Sequence, residues 1–369
     1  MRFDPSSRPA PASRREVLRI AAGAIATPVL MSAGTAALAQ ARSASLSGVI
    51  RVCGTPQMKP LMDVWSRAFT RRNPGIHFDV DLKGTSTAQF GLQADTADIA
   101  LSGREIYPYE YYGIYRRSQL LTVEIPVATG SYNQIGKSAA LAIFVHADNP
   151  ITQLSMPQLD RVFGAERLGG WQGMEWNTDV ARGPETNIRT WGQLGLRGEW
   201  ANAEITPYGP PALHPGGVSY FQRRVMGGAD VWNERLREFP DRSAMLRALA
   251  KDRYGIAFAS LGYAAPGIKA LALAERDGGP YFRLDAKTVS SRAYPLSRFA
   301  YMYLAPDTVS GDPVGLNPNL RAFLEFVLGR AGQPLIAATS YYPLPLGIAA
   351  KELARVRANT PPTQTPTIS

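Results

Sequence analysis

Gly48-Val49-Ile50-Arg51-Val52-Cys53 runs into Gly54-Thr55-Pro56, and this succession of a short apolar run and a small polar loop recurs twice soon afterwards. Ile76-His77-Phe78-Asp79-Val80-Asp81-Leu82 leads to Gly84-Thr85-Ser86-Thr87, and Asp98-Ile99-Ala100-Leu101 leads to Ser102-Gly103-Arg104. Between the first two runs, Leu61, Trp65, Ala68 and Phe69 recur at helical spacing up to the stop at Asn73-Pro74-Gly75. A second helix-like stretch surrounds Phe90 and Leu92. Strand, small loop and helix in alternation predict an α/β fold on a parallel sheet. Loops that follow such strands leave the sheet on one edge, where ligands bind. Glycine, serine and threonine let backbone N–H groups approach an anion, and two of the three loops open helices whose N-termini favour negative charge. The same residues serve ordinary turns. Their repetition at three consecutive strand ends is what favours a ligand edge.

Working outward, Ala140 to His146 reads as an apolar strand, turned sharply by Asp148-Asn149-Pro150. Ser155 to Phe163 reads as a short helix capped by Ser155. Residues 164–192, rich in Gly, Trp and Arg, are expected to be a surface excursion between elements. A second glycine-rich loop, His214-Pro215-Gly216-Gly217-Val218-Ser219, leads into a helix from Tyr220 to Met226 that stops at Gly227-Gly228. A helix over 241–250, a strand from Tyr254 to Ala259 and an amphipathic helix carrying Leu320, Phe323, Leu324, Val327 and Leu328 complete the pattern. From Asn359 the chain is rich in Thr and Pro and reads as a disordered tail over 359–369.

The amino end reads differently. Ser13-Arg14-Arg15-Glu16-Val17-Leu18, a mildly apolar stretch from Ile20 to Leu38 and small-residue exits at Ala37-Leu38-Ala39 and Ala39-Gln40-Ala41 have the three parts of a twin-arginine export signal. Gly23, Thr27, Pro28, Ser32, Gly34 and Thr35 make that stretch a poor membrane span. Residues 1–41 are therefore expected to be removed, leaving a protein of the periplasm or one secreted beyond it. Cys53 is the one cysteine, so no intramolecular disulfide forms, and a buried strand-end thiol is the simplest reading. His77, His146 and His214 are dispersed, which argues against a His/Cys metal cluster. The formal net charge is +10 with the arginines spread along the chain. With no nucleic-acid motif beside them, they suit attraction of a small anion rather than nucleic acid.

The order of these motifs resembles the phosphate-binding proteins of bacterial phosphate ABC importers and the wider periplasmic binding-protein superfamily. Gly84 to Thr87 with Asp98-Ile99-Ala100-Leu101-Ser102-Gly103-Arg104 is similar to one family segment. So are Ala142-Ile143-Phe144-Val145-His146 with Leu159 to Gly164, and Tyr254-Gly255-Ile256-Ala257-Phe258. Tyr294-Pro295-Leu296-Ser297-Arg298 with Tyr301 to Leu304, and Phe323 to Gln333 with Tyr342-Pro343-Leu344-Pro345, complete the match over nearly all of the chain after the signal. The resemblance implies a type II two-lobed α/β fold, each lobe a mixed, mostly parallel sheet flanked by helices, joined by two crossing strands. It places lobe 1 at 48–143 plus 303–358 and lobe 2 at 144–302, with Ala142–His146 and Arg298–Leu304 as the crossings.

It further implies that Thr55, Thr85, Ser86, Thr87, Ser102 and Arg104 line the first lobe's wall of a ligand cleft, and Gly216, Gly217 and Ser219 the second. Arg104 offers a planar fork suited to a tetrahedral oxyanion, with an interlobe salt bridge as its structural alternative. Thr85 to Thr87 and Ser219 could serve as helix caps, and His214 as a substitute donor. The run Tyr107, Tyr109, Tyr111, Tyr112 and Tyr115 reads as surface packing or a cleft rim. Two departures stand out. Tyr208 to Ser219 contains no arginine where the family has one, and no clear counterpart of the family's carboxylate stands near Ser102-Gly103-Arg104. The implied function is capture of phosphate or a related oxyanion, as a monomer without cofactor or catalysis, for the membrane permease of an ABC importer. The alternative is an exported scaffold or binding protein that has lost transport, or, less favoured, a phosphate-ester hydrolase.

Overall fold

The computed structural model describes residues 46–118, 122–211, 216–304 and 316–358. The expected export signal, His214, Pro215 and the expected tail lie outside the described residues. In chain order the first elements are β1 (Ser47–Gly54), α1 (Lys59–Thr70), β2 (Gly75–Asp81), α2 (Thr85–Gln93), β3 (Ile99–Ser102), α3 (Pro108–Ser118) and β4 (Val123–Thr129). Then follow β5 (Leu141–His146), β6 (Gln153–Ser155), α4 (Met156–Phe163), β7 (Gly170–Gln172), β8 (Glu175–Asn177), β9 (Thr206–Gly209) and α5 (Gly217–Val225). The last are β10 (Arg237–Glu238), α6 (Arg242–Leu249), β11 (Gly255–Ser260), β12 (Ile268–Ala270), β13 (Ala272–Ala274), α7 (Ala286–Ser290), β14 (Phe299–Leu304), α8 (Pro318–Leu328) and α9 (Leu346–Arg357).

Two five-stranded mixed sheets carry the architecture, ordered β2-β1-β3-β14-β4 and β10-β9-β11-β5-β12. In the first, β1 runs parallel to β2 and β3, while β14 is antiparallel to β3 and β4. In the second, β9 runs parallel to β10 and β11, and β5 is antiparallel to β11 and β12. Each sheet is thus parallel on one side and antiparallel on the other. β5 belongs wholly to the second sheet and β14 wholly to the first, so the passages between sheets run through 130–140 and 291–298.

Alternation places Ile50 and Val52 of β1 inward, against Leu61, Met62, Trp65 and Phe69 of α1. Trp65 is fully buried, and its indole N–H donates to the Gly332 carbonyl at 3.0 Å. Phe323 of α8 meets Phe69 edge-on at 5.2 Å, which closes this core from the other end of the chain. Burying each such side chain stabilises the fold by about 1.5–3 kcal/mol. The second core stacks Phe221 of α5 on Phe258 of β11 at 4.1 Å, with Phe163 of α4 edge-on to both. Ser155 caps α4 through a capping box with Gln158, as its sequence position predicted.

The 164–192 stretch is more built than an excursion. It holds the β7–β8 hairpin and a 3-10 turn at Trp191–Leu194, and Trp191 is fully buried. Asp160 of α4 anchors it through Arg167 at 2.7 Å and Arg182 at 3.3 Å. Cys53 is half-buried rather than fully enclosed, and its thiol, 3.3 Å from the Ala88 carbonyl, is pushed up to about 11 by burial. No helix among the described residues is long and apolar enough to cross a membrane.

Candidate functional site

The carboxyl ends of β1 and β3 and the loop after β2 lie side by side because β1 is the parallel neighbour of both other strands. Gly54 holds φ +120° and sits so close to β3 that a Cβ would lie 2.3 Å from the Leu101 carbonyl oxygen, so only glycine fits there. That approach lets the Thr55 N–H donate to Leu101 at 3.0 Å, while the Gly84 N–H donates to Gly54 at 2.9 Å. Thr55, the 84–87 turn and Ser102 are thereby gathered on one edge.

α2 opens on Gly84, which has φ +151° and no side chain with which to cap the helix. The first-turn N–H groups of α2 therefore find no side-chain acceptor on the cap residue. Thr87 turns its hydroxyl back to the Gly84 carbonyl at 2.8 Å. α5 repeats the device: Gly216 opens it at φ +92° without a side-chain cap, and Ser219 donates back to the Gly216 carbonyl at 3.1 Å. Two helices with uncapped N-termini are two sites of partial positive charge.

Arg104 is committed within its own lobe. Its guanidinium makes a bidentate pair with Glu110 of α3, at 2.7 and 2.8 Å, with both side chains buried. It also stacks over Tyr107 at 4.2 Å. Burial alone would depress the guanidinium, but Glu110 more than offsets this and holds it above its usual range. The backbone of Arg104 positions Ser102 instead: Ser102 Oγ donates to the Arg104 carbonyl at 2.8 Å and accepts its N–H at 3.2 Å. Tyr107 and Tyr111 turn toward charged partners, Arg104 and Glu124, whereas Tyr109, Tyr112 and Tyr115 are exposed.

Hydrogen bonds join the Thr55, Gly84 and Ser102 loops to one another. Among the described residues none joins them to Gly216, Gly217 or Ser219; that turn is tied to the first lobe only through the body of α5. Arg223 of α5 donates to the Ile106 carbonyl at 3.4 Å, and Tyr220 donates to the Ser297 carbonyl at 2.7 Å. Next to Ser297, the Arg298 guanidinium donates to the Gly103 carbonyl at 2.5 Å.

This seam holds charged residues that sequence reasoning passed over. Glu105 follows Arg104 directly and accepts from the Tyr301 hydroxyl at 2.9 Å. Glu124 accepts from Tyr303 at 2.7 Å and Tyr111 at 3.4 Å, and burial pushes its carboxyl above the usual range. Arg223 faces both carboxylates, which keep it above its usual range against the opposing effect of burial. Arg224 pairs with Glu275 at 2.5 Å. The available signal was the Tyr294–Arg298 motif, which resembled the return crossing between lobes rather than part of the ligand site. Residues at 105, 124, 223 and 298 are brought together only by the fold.

Two α/β sheets joined by two passages, with glycine-opened loops at the parallel strand ends, define a two-lobed solute-binding fold. The family model described as the PBP superfamily domain matches residues 39–331, and the chain belongs to that superfamily. Over 334 residues the chain is 28% identical to the phosphate-binding protein PstS of Pseudomonas aeruginosa, covering 90% of this chain and 95% of that protein. Among solved structures, an ABC-type phosphate transport receptor from Vibrio cholerae aligns with a TM-score of 0.51 at 18% identity, over 80% of this chain and all of that one. PstS from Borrelia burgdorferi aligns with a TM-score of 0.51 at 14% identity, over 81% of this chain and all of that one. These two likenesses support the two-lobed fold.

Proposed function

We propose that this protein captures phosphate or a closely related oxyanion between its lobes and delivers it to the permease of an ABC importer. The observation that carries the reading is the stitched edge of Thr55, Gly84–Thr87 and Ser102, in a chain that matches a phosphate-binding protein over 95% of that protein's length. Hydroxyls and backbone N–H groups at strand ends, with two uncapped helix N-termini, suit a small anion and need no metal or cofactor. Thr55, Thr85, Ser86, Thr87 and Ser102 form one wall, Gly216, Gly217 and Ser219 the other, and Arg104 positions Ser102. The lobes divide at the two passages rather than inside β5 and β14, lobe 1 comprising 48–129 with 299–358 and lobe 2 comprising 141–290. The protein works in the periplasm as a monomeric binder rather than an enzyme.

Isothermal titration of the mature protein with phosphate, arsenate and sulfate tests this. Phosphate and arsenate should bind, and absence of heat with all three would leave the scaffold reading standing. That second reading draws support from the 208–219 segment, which has neither lysine nor arginine. Thr85→Val should weaken phosphate binding only about two- to tenfold, since a neutral hydrogen bond is worth about 0.5–1.5 kcal/mol and the backbone N–H remains. An unchanged isotherm would remove the Thr85 hydroxyl from the site. The export assignment has its own test. Arg14→Lys with Arg15→Lys should leave unprocessed precursor in the cytoplasm on fractionation, and normal processing would point to another route.

A further inference from the structure

Four arginines meet on the seam between the lobes, and they are not alike. Arg223 faces Glu105 and Glu124, and Arg224 pairs with Glu275. Arg292 and Arg298, by contrast, form no salt bridge among the described residues. Arg292, held at φ +62°, donates through Nη2 to the Ser297 carbonyl at 3.3 Å and lies 3.4 Å over the Phe299 ring. Arg298 is only 8% exposed, donates through Nη2 to the Gly103 carbonyl and lies 5.2 Å from the centre of the Tyr220 ring. Arg292 Nη1 and Arg298 Nε are both buried and have no hydrogen-bond partner among the described residues. A buried guanidinium with donors to spare and no paired carboxylate is costly to the fold unless an anion completes it. Burial depresses both groups below the usual guanidinium range, and the Glu105 carboxylate offsets only part of this.

Both guanidiniums are tied to one short segment. Arg292 donates to Ser297, Arg298 follows it, and Tyr220 donates to the same Ser297 carbonyl. Through Gly103 this segment touches the middle of the Ser102–Arg104 loop, beside the proposed phosphate edge. We propose that Arg292 and Arg298 are a paired anion-binding device that supplies the cationic contacts to a tetrahedral oxyanion held beside Gly103. This rests on the phosphate-binding reading and adds to it which residues carry the positive charge. The forked, planar guanidinium suits a phosphate oxygen pair better than an ammonium would. Glu105, which accepts from Tyr301 nearby, keeps the seam from being uniformly positive and so should disfavour the most highly charged anions.

The experiment titrates mature wild type, Arg292→Met and Arg298→Lys with inorganic phosphate, and records thermal unfolding in phosphate-free buffer. Arg292→Met should weaken phosphate binding about 10- to 100-fold, the loss of one charge-assisted contact. It should leave the ligand-free melting temperature unchanged or higher, because a buried unpaired charge is gone and the Ser297 carbonyl keeps its bond from Tyr220. Arg298→Lys should lose about tenfold by keeping the charge without the fork. If Arg292→Met does not fold, Arg292→Lys is titrated in its place, with a loss of about tenfold expected. Wild-type affinity in both arginine variants would overturn the pair while leaving phosphate binding intact. A wild type that gives no heat with phosphate would overturn both, a result that variant-insensitive binding cannot mimic. A ligand-free melting temperature that falls steeply in Arg292→Met, with affinity retained, would assign the arginine to the scaffold.

Discussion

Arg104→Ala is expected to destabilise the protein by about 3–5 kcal/mol, the loss typical of removing one partner of a buried ion pair. Glu110 would keep the Tyr107 N–H at 2.7 Å but lose both guanidinium bonds while its side chain stays only 4% exposed. Tyr107 would lose the cation stacked on it as well. Urea unfolding of the variant and of Arg104→Met combined with Glu110→Leu separates the pair from its parts. The double variant should recover most of the loss, because apolar groups of similar volume replace a buried pair at little cost. Arg104→Lys should fall between, keeping the charge without the fork. A loss under about 1 kcal/mol for Arg104→Ala would show that Glu110 finds water or another cation, and that the pair does not hold α3 to the Ser102–Arg104 loop.

How legible this molecule is in its sequence depends on the distance over which a feature is encoded. β1, α1, β2, α2 and β3 follow from local periodicity and from stops such as Asn73-Pro74-Gly75, because each element announces its own face. The three small loops at one edge follow from the rule that parallel strands end on the same side. α3 escaped notice, since the pattern of Tyr107, Tyr109, Tyr111, Tyr112 and Tyr115 reads as an aromatic run rather than a helix face. Arg104 looked like a ligand group because it ends a strand beside small residues. Its bidentate partner Glu110 lies in the first turn of that unrecognised helix. The seam was the least legible part. Glu105, Glu124, Arg223 and Arg298 come from four segments, and no spacing in the chain announces that Tyr301 and Tyr303 will hold two of them.

That seam also makes stability depend on pH in a way that one substitution should expose. Glu124 is half-buried, and burial raises its carboxyl above the usual range; Arg223, the Tyr303 hydroxyl and Arg355 pull it back down, while Glu105 pushes it up. A carboxyl raised in the folded state contributes stability that is complete below the unfolded value of about 4.3 and is lost as pH rises through the folded value. Removing Arg223 takes away the strongest influence that favours the charged form, so the folded value rises further and the loss at neutral pH grows. Arg223→Ala should therefore cost little near pH 4, where Glu124 is protonated and needs no cation. Near pH 8 it should cost about 3–5 kcal/mol, where folding must either bury an unpaired carboxylate or bind a proton from dilute solution. Arg223→Lys should flatten that difference by restoring the charge. Urea unfolding at the two pH values measures it directly. A penalty that is the same at pH 4 and pH 8 would mean that Arg223 acts through its bond to Ile106 and its packing alone, and that the carboxylates of the first lobe are neutralised by other means.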